Sequence, residues 1–391
     1  MTQKTALIVG AGVAGLAAAY WLKRIGWRTI VIERAPALRS DGYMLGLSGP
    51  GYDIARRMGI LPGLQADERA VRENLYRDRH GREVLRLRYQ DFLAGVDWVT
   101  LPRTALVAHL QSALGPDSDI RYGLTLTRAT DLGTSVEADL SDGSTLTCDL
   151  LIGADGVHST VRALSFGPEA EYAKPLGYRF AAFQVPNILG LGDDFLSYVA
   201  PRRTVEFYTL WEDRLATLYA WRSPETGRIP PEARRQVLRA VFADLPPDVH
   251  RVIDSLSDED GMAFDDMLLI EMPRWRKGRI LLLGDAAHCL TLISGQGAGM
   301  AITSAWLLAE ELTAGDIDAA LDRHEAKLRP TITALQTRSR KIAGWFIPGT
   351  PWGFRLRNFI LRRAPRRFLA RYFQKAIQSE IILAARDFST S

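Results

Sequence analysis

An α/β fold with an inserted antiparallel layer (an α+β insert) and C-terminal helices is predicted by three features of this sequence. The chain opens as strand, glycine turn, helix and strand over Thr5 to Glu33. Two later apolar runs, Leu150–Ile152 and Arg279–Leu283, pass directly into glycine turns, as buried parallel strands do. Between them, Gly177 to Ser223 holds successive alternating, aromatic-rich runs, the pattern of an antiparallel sheet.

In order, Thr5–Val9 is a short apolar run broken by Gly10, Gly12 and Gly15. Leu16–Arg24 has helical character, and Thr29–Ile32 is a second apolar run ending at Glu33. Ser48–Met58 reads as a helix, Asn74–Leu87 as a hairpin turning at His80-Gly81, and Thr104–Leu114 as a helix. Val136–Cys148 alternates around Asp142-Gly143, a two-residue hairpin signal. The runs Arg179–Val185, Thr204–Leu210 and Leu215–Trp221 form the inserted layer, followed by a helix from Pro230 to Phe242. Helices over Gly299–Leu312 and Asp316–Gly344 precede a tail broken at Pro348, Pro351 and Pro365.

Composition narrows the class. In 391 residues, 47% are hydrophobic and 24% charged, so disorder is not the default. The two cysteines, Cys148 and Cys289, exclude a disulfide framework and fit a reducing, cytoplasmic setting. The six histidines show no ligand spacing, so no metal site is expected. No apolar run reaches the ~20 residues of a membrane helix, and no signal peptide is read at the start. Ala326 to Ser379 holds 13 Lys or Arg and no Asp or Glu, leaving 36 basic against 45 acidic residues elsewhere. The body is acidic and the tail basic. The favoured reading of the tail is bracing helices with outward arginines; contact with a membrane surface is the competing one. No recognition motif accompanies the charge, so nucleic acid is not an expected partner.

Three glycine motifs carry chemistry. In Gly10-Ala11-Gly12-Val13-Ala14-Gly15, the first glycine permits the turn and the second admits a pyrophosphate. The third lets helix and strand pack. The helix start offers free N–H groups to phosphate, and Glu33 stands where a carboxylate accepts from ribose hydroxyls. Gly153-Ala154-Asp155-Gly156-Val157-His158-Ser159, followed by Arg162, also reads as a turn capped by Asp155 or Ser159. Gly284-Asp285-Ala286-Ala287-His288 follows a buried strand, with Asp285 suited to a sugar or ribityl hydroxyl. Ser294-Gly295-Gln296-Gly297-Ala298-Gly299 then opens a helix.

With these three motifs in this order, the sequence resembles the single-component FAD-dependent hydroxylases of the p-hydroxybenzoate hydroxylase type. Within them it resembles the compact branch that includes tetracycline-inactivating monooxygenases. The resemblance covers nearly the whole chain. It implies a Rossmann-like FAD-binding domain with an inserted antiparallel β-sheet substrate domain and C-terminal helices. The FAD-binding parts would be 1–72, 101–176 and 273–325. Residues 73–100 and 177–272 would form the substrate domain, and 326–391 the basic helical segment. It implies that Gly10, Gly12, Ala14, Gly15 and Glu33 hold the ADP half of FAD, with Arg34 beside the adenosine. Arg103 would stand at a helix start near the FAD, and Asp155 would serve FAD and reduced nicotinamide. Asp285 would contact the ribityl or pyrophosphate region, and Gly295, Gln296, Gly297 and Ala298 would lie against the isoalloxazine. Arg39 matches a gating position. The implied reaction uses NADPH or NADH to reduce FAD, then O2 to form a C4a-hydroperoxide that hydroxylates an aromatic or polycyclic small molecule. No protein nucleophile is needed, since the flavin carries the chemistry, and His288 reads as structural.

Two departures stand out. Cys289 to Ser294 contains no proline where the family commonly has one, and Gly46 sits where the tetracycline branch has an acidic residue. Gln184, Phe207, Trp221 and Thr291 are the candidate substrate contacts. A related reductase or oxidase without oxygen insertion, and a non-catalytic flavoprotein scaffold or sensor, are the alternative functions.

Overall fold

The computed structural model describes residues 3–38, 43–69, 71–93, 95–211, 213–257 and 261–363. Strand β1 (Thr5–Val9), helix α1 (Val13–Arg24) and strand β2 (Arg28–Glu33) form the expected opening unit. β1 is central in a six-stranded sheet, paired in parallel with β2 on one side and Leu150–Gly153 on the other. Ile280–Leu282 extends the sheet beyond Leu150–Gly153, and Asp119–Tyr122 extends it beyond β2, both in parallel. Ala6–Val9, Ile30–Ile32, Leu150–Ile152 and Ile280–Leu282 are buried on both faces, which is why these segments read as continuous apolar runs, whereas the edge strand Asp119–Tyr122 is only partly buried.

Helix α1 packs against Arg103–Leu114 and Gly297–Thr313, and the last of these also against Gly49–Arg57. The helices Gly49–Arg57 and Gly297–Thr313 cross at Gly51, where an added Cβ would lie 2.3 Å from the Gly299 Cα. Two backbones meet there because neither carries a side chain.

The second sheet has seven strands. Its order is Met262–Ile270, Ala173–Pro186, Arg214–Arg222, Arg203–Trp211, Phe195–Ala200, Glu73–Arg77 and Glu83–Arg88. All neighbours are antiparallel except Phe195–Ala200 beside Glu73–Arg77. Alternation divides the sheet into two faces. One face carries Phe183, Leu196, Tyr198, Phe207, Tyr219 and Trp221. It is closed by the helices Pro231–Val241 and Pro247–Asp254 through Leu238, Phe242, Val249, Val252 and Ile253. Each such side chain contributes roughly 1.5–3 kcal/mol on burial, so this face is committed to core. The other face carries Ser197, Glu206, Tyr208, Ala216 and Gln184.

The sheets are tied together at several points. His158, in the second glycine motif, has Nε2 2.6 Å from Asp265 Oδ2 of the large sheet and Nδ1 3.0 Å from Glu169 Oε1. These carboxylates, Asp265 first, raise its pKa against the opposing effect of burial. The long helix Ile317–Phe346 runs into Ile347 and Pro348, whose carbonyls accept from Arg222 Nε (2.8 Å) and Arg202 N (3.0 Å). Helix Pro351–Arg363 then packs against Glu83–Arg88, leaving Trp352, Leu356, Phe359 and Ile360 exposed. The tail's Pro365, Phe368 and Phe373 lie outside the described residues. No helix among the described residues is long and apolar enough to cross a membrane.

Gly51→Ala tests the helix crossing. The added methyl has no space, so overpacking should cost about 1–3 kcal/mol. Urea unfolding should show a lower midpoint with an unchanged slope.

Candidate functional site

The three glycine motifs meet at the C-terminal ends of neighbouring parallel strands, where open α/β sheets bind ligands. A Cβ on Gly10 would stand 2.5 Å from the Ala154 carbonyl oxygen, and the residue has φ +107°. One on Gly284 would stand 2.8 Å from the Ala14 Cβ. The first motif therefore touches both of the others. Arg162 closes the arrangement from below. Its fully buried guanidinium donates to the Ala286 carbonyl (2.9 Å), the Val157 carbonyl (2.6 Å) and Glu169 Oε2 (2.9 Å).

Gly12 and Gly297 are different. Both have ordinary backbone angles, since neither is among the positive-φ glycines. A Cβ on Gly12 would find nothing closer than an Arg103 nitrogen at 3.9 Å, and one on Gly297 nothing within 4 Å. Among the described residues, no atom requires glycine at either place. Each lies at the start of a helix, where free N–H groups and partial positive charge favour an anion. Bare backbone kept open at two helix starts is what close approach of a pyrophosphate and a flavin ring needs.

Acidic residues complete the cradle. Glu33 accepts from Ala11 N and Ala35 N (each 2.9 Å), one bond per oxygen, and so retains lone pairs for a ribose. Asp285 lies beside Arg103 and the Cys289 thiol. Burial raises its pKa and Arg103 opposes that shift. Tyr43, whose carbonyl accepts from Arg103 N (3.0 Å), is near the same groups, and burial raises its pKa too. Arg34 is exposed just beyond Glu33. Arg39 lies outside the described residues.

Asp155 is largely spent on local structure. It accepts from Ser159 Oγ (2.5 Å), Thr160 N (2.6 Å) and Val161 N (3.1 Å), while Ser159 Oγ caps Arg162 N. This is the capped turn that the sequence offered as its alternative reading. Gln296 is buried and donates to Ser48 Oγ (3.2 Å), positioning the loop before Gly297. Thr291 has φ +68°, a strained conformation for a β-branched residue, in the loop that lacks proline. His288 is buried, inclined against Trp275 at 4.8 Å, and burial lowers its pKa to about 3. It is neutral and part of the packing.

The face of the large sheet opposite the helices looks toward this cradle. Met44 N donates to Tyr208 Oη (2.9 Å), and Tyr43, next to Met44, is electrostatically coupled to Tyr208. Tyr76, Tyr89 and Phe195 gather around Tyr208, with Phe195 stacked on it at 4.7 Å and Tyr89 edge-on to Phe195 at 5.9 Å. Gln184 shares this face through the row Tyr208, Ala216, Gln184. Phe207 and Trp221 do not. They point into the core beneath the two helices, so their assignment as substrate contacts is corrected by strand alternation.

Sequence reasoning also missed Trp98. Leu45 and Leu47 face the main core, so Met44, Gly46 and Ser48 face the site. A Cβ on Gly46 would lie 1.9 Å from the Trp98 ring. The indole, fixed by donation to Thr100 Oγ1 (2.7 Å), fills the space of a side chain at position 46. Among the described residues no group of His, Cys, Asp and Glu is placed to hold a metal.

Known proteins share this fold. Residues 3–339 match the FAD binding domain family model, and the chain belongs to that family. A flavin-dependent monooxygenase from an unidentified prokaryote is 31% identical over 336 residues, covering 84% of this chain and 86% of its own. Among solved structures, tetracycline destructase Tet(51) superposes with a TM-score of 0.80 at 28% identity, covering 93% of this chain and 97% of its own. HpxO of Klebsiella pneumoniae, complexed with FAD and uric acid, superposes with a TM-score of 0.79 at 25% identity. It covers 96% of this chain and 97% of its own. The protein is an FAD-dependent monooxygenase.

Two glycine variants separate folding from cofactor binding. Gly12→Ala should leave stability within about 1 kcal/mol yet weaken FAD binding at least about tenfold. Gly10→Ala should cost more than about 2 kcal/mol of stability through overlap and strain. Chemical denaturation and flavin fluorescence titration measure the two effects.

Proposed function

We propose that this monooxygenase consumes NADPH or NADH and O2 to hydroxylate an aromatic or polycyclic small molecule. The observation that supports this most is the junction at Tyr43 and Tyr208, which sets a ring-lined sheet face against the glycine cradle. Flat aromatic side chains suit a flat, apolar substrate. The relatives point the same way, since one structure holds uric acid and another is a tetracycline destructase.

Bound FAD supplies the redox chemistry, taking electrons from the nicotinamide and activating O2. The chain supplies position and dryness. The ADP half would lie along Gly10, Gly12, Ala14, Gly15 and Glu33, with Arg34 beside the adenosine. Arg103 would balance phosphate charge and Asp285 accept from a ribityl hydroxyl. The helix start at Gly295, Gln296, Gly297 and Ala298 would face the negative charge of the reduced ring. Gln184 and Thr291 are the polar candidates for substrate contact. Asp155, already accepting three bonds, acts mainly by holding the second motif in place. Trp98 and Tyr208 exclude water from the side where substrate would sit.

Purified yellow protein should bleach under NADPH or NADH faster when a suitable phenol or polycycle is present. Under 18O2 the product should gain one labelled oxygen atom by mass spectrometry. Flavin reduction without an oxygenated product would favour a reductase or oxidase, and absence of reduction a scaffold.

A further inference from the structure

One carboxylate on the substrate-facing sheet has no structural use. Glu206 is mid-strand in Arg203–Trp211, paired with Ser197 on one side and Leu218 on the other. It points to the same face as Tyr208, away from the helix-covered core that holds its neighbours Val205 and Phe207. Among the described residues it takes part in no hydrogen bond or ion pair, although it is only partly accessible. A carboxylate held in such a place without a partner is costly. Binding pockets keep a few such polar groups to fix a ligand's orientation.

The surrounding groups do not neutralise it. Tyr76 arrives from Glu73–Arg77 and Tyr89 from the short helix Tyr89–Leu93. Tyr208 lies two residues along the strand, and all three are electrostatically coupled to Glu206. Tyr89 is engaged with Asn74, and Ser197 Oγ also donates to Asn74. Tyr43 reaches this group only through Tyr208, where Tyr208 Oη already accepts from Met44 N. Arg357, from the helix Pro351–Arg363, acts on Tyr76. Burial alone raises the Glu206 pKa, to about 7.

We propose that Glu206 determines substrate specificity. Its carboxylate accepts a hydrogen bond from an O–H or N–H group on a ring compound seated among Tyr76, Tyr89 and Tyr208. The proposal deepens the reading above and relies on it only for the substrate being a ring compound. A substrate lacking a donor leaves the carboxylate unpaired and is rejected, as sites built around a hydrogen bond reject analogues without it. Because Glu206 titrates near neutrality, the preference strengthens as pH rises through about 7 and the carboxylate fills.

The test is a binding titration of the FAD-loaded protein without nicotinamide, so failure of oxygen transfer cannot affect it. 2-Naphthol and 2-methoxynaphthalene share the ring and differ by the donor and one methyl group, and each is followed by perturbation of flavin absorbance. The wild type should prefer the naphthol at least about tenfold at about pH 8, and less at about pH 6. E206L should bind FAD in full and lose both the preference and its pH dependence, whereas E206Q, whose amide oxygen still accepts, should bind FAD in full and keep a weaker preference that no longer changes with pH. Equal binding of the two probes by the wild type, binding of neither, retention of the preference by E206L loaded with FAD, or an unchanged pH dependence in either variant would overturn the proposal.

Discussion

The cofactor cradle depends on the contact between three strand-to-helix turns. At Gly10 the missing side chain lets the Ala154 backbone come within van der Waals range, and at Gly284 it makes room for the Ala14 methyl. A methyl group at either place would force the turns apart. Arg162 holds the second turn to the third through the Ala286 carbonyl. Its burial is tolerable because three acceptors surround it, whereas breaking a buried charge pair commonly costs about 3–5 kcal/mol. Packing brings the turns together, and the two helix starts at Gly12 and Gly297 remain open for a ligand.

The large sheet divides its labour by face. Apolar residues on one face bury against two amphipathic helices and fix the sheet's position. The other face is then free to carry Tyr208, Gln184 and Glu206 opposite the cradle. The same alternation that stabilises the lobe thus selects what faces the cradle. At its edge, the Trp98 indole fills the space beside Gly46 and makes that part of the wall aromatic.

Much of this was legible in the sequence. The glycine spacing, Glu33 and the buried runs ending in turns carry local rules that tertiary context does not alter. The choice between the two faces of Arg203–Trp211 was less accessible, because alternation defines two faces without saying which one helices will cover. Phe207 and Trp221 were misassigned for that reason. A signal was present in Glu206, a lone carboxylate among apolar neighbours, which marks the face that cannot be core. Trp98 left no such signal, since its meeting with Gly46 is a cross-strand event. Asp155 shows the converse: its capping geometry was readable and takes most of its bonding capacity.

The central claim is that the glycine cradle and the tyrosine-lined sheet face form two halves of one site. A crystal structure of the FAD-loaded protein grown with 2-naphthol tests it most directly. The account predicts pyrophosphate at the Gly12 helix start, the flavin ring near Gly297, and the naphthol between that ring and Tyr208. FAD phosphates bound away from Gly12, or a naphthol seated off the Tyr208 face, would contradict it.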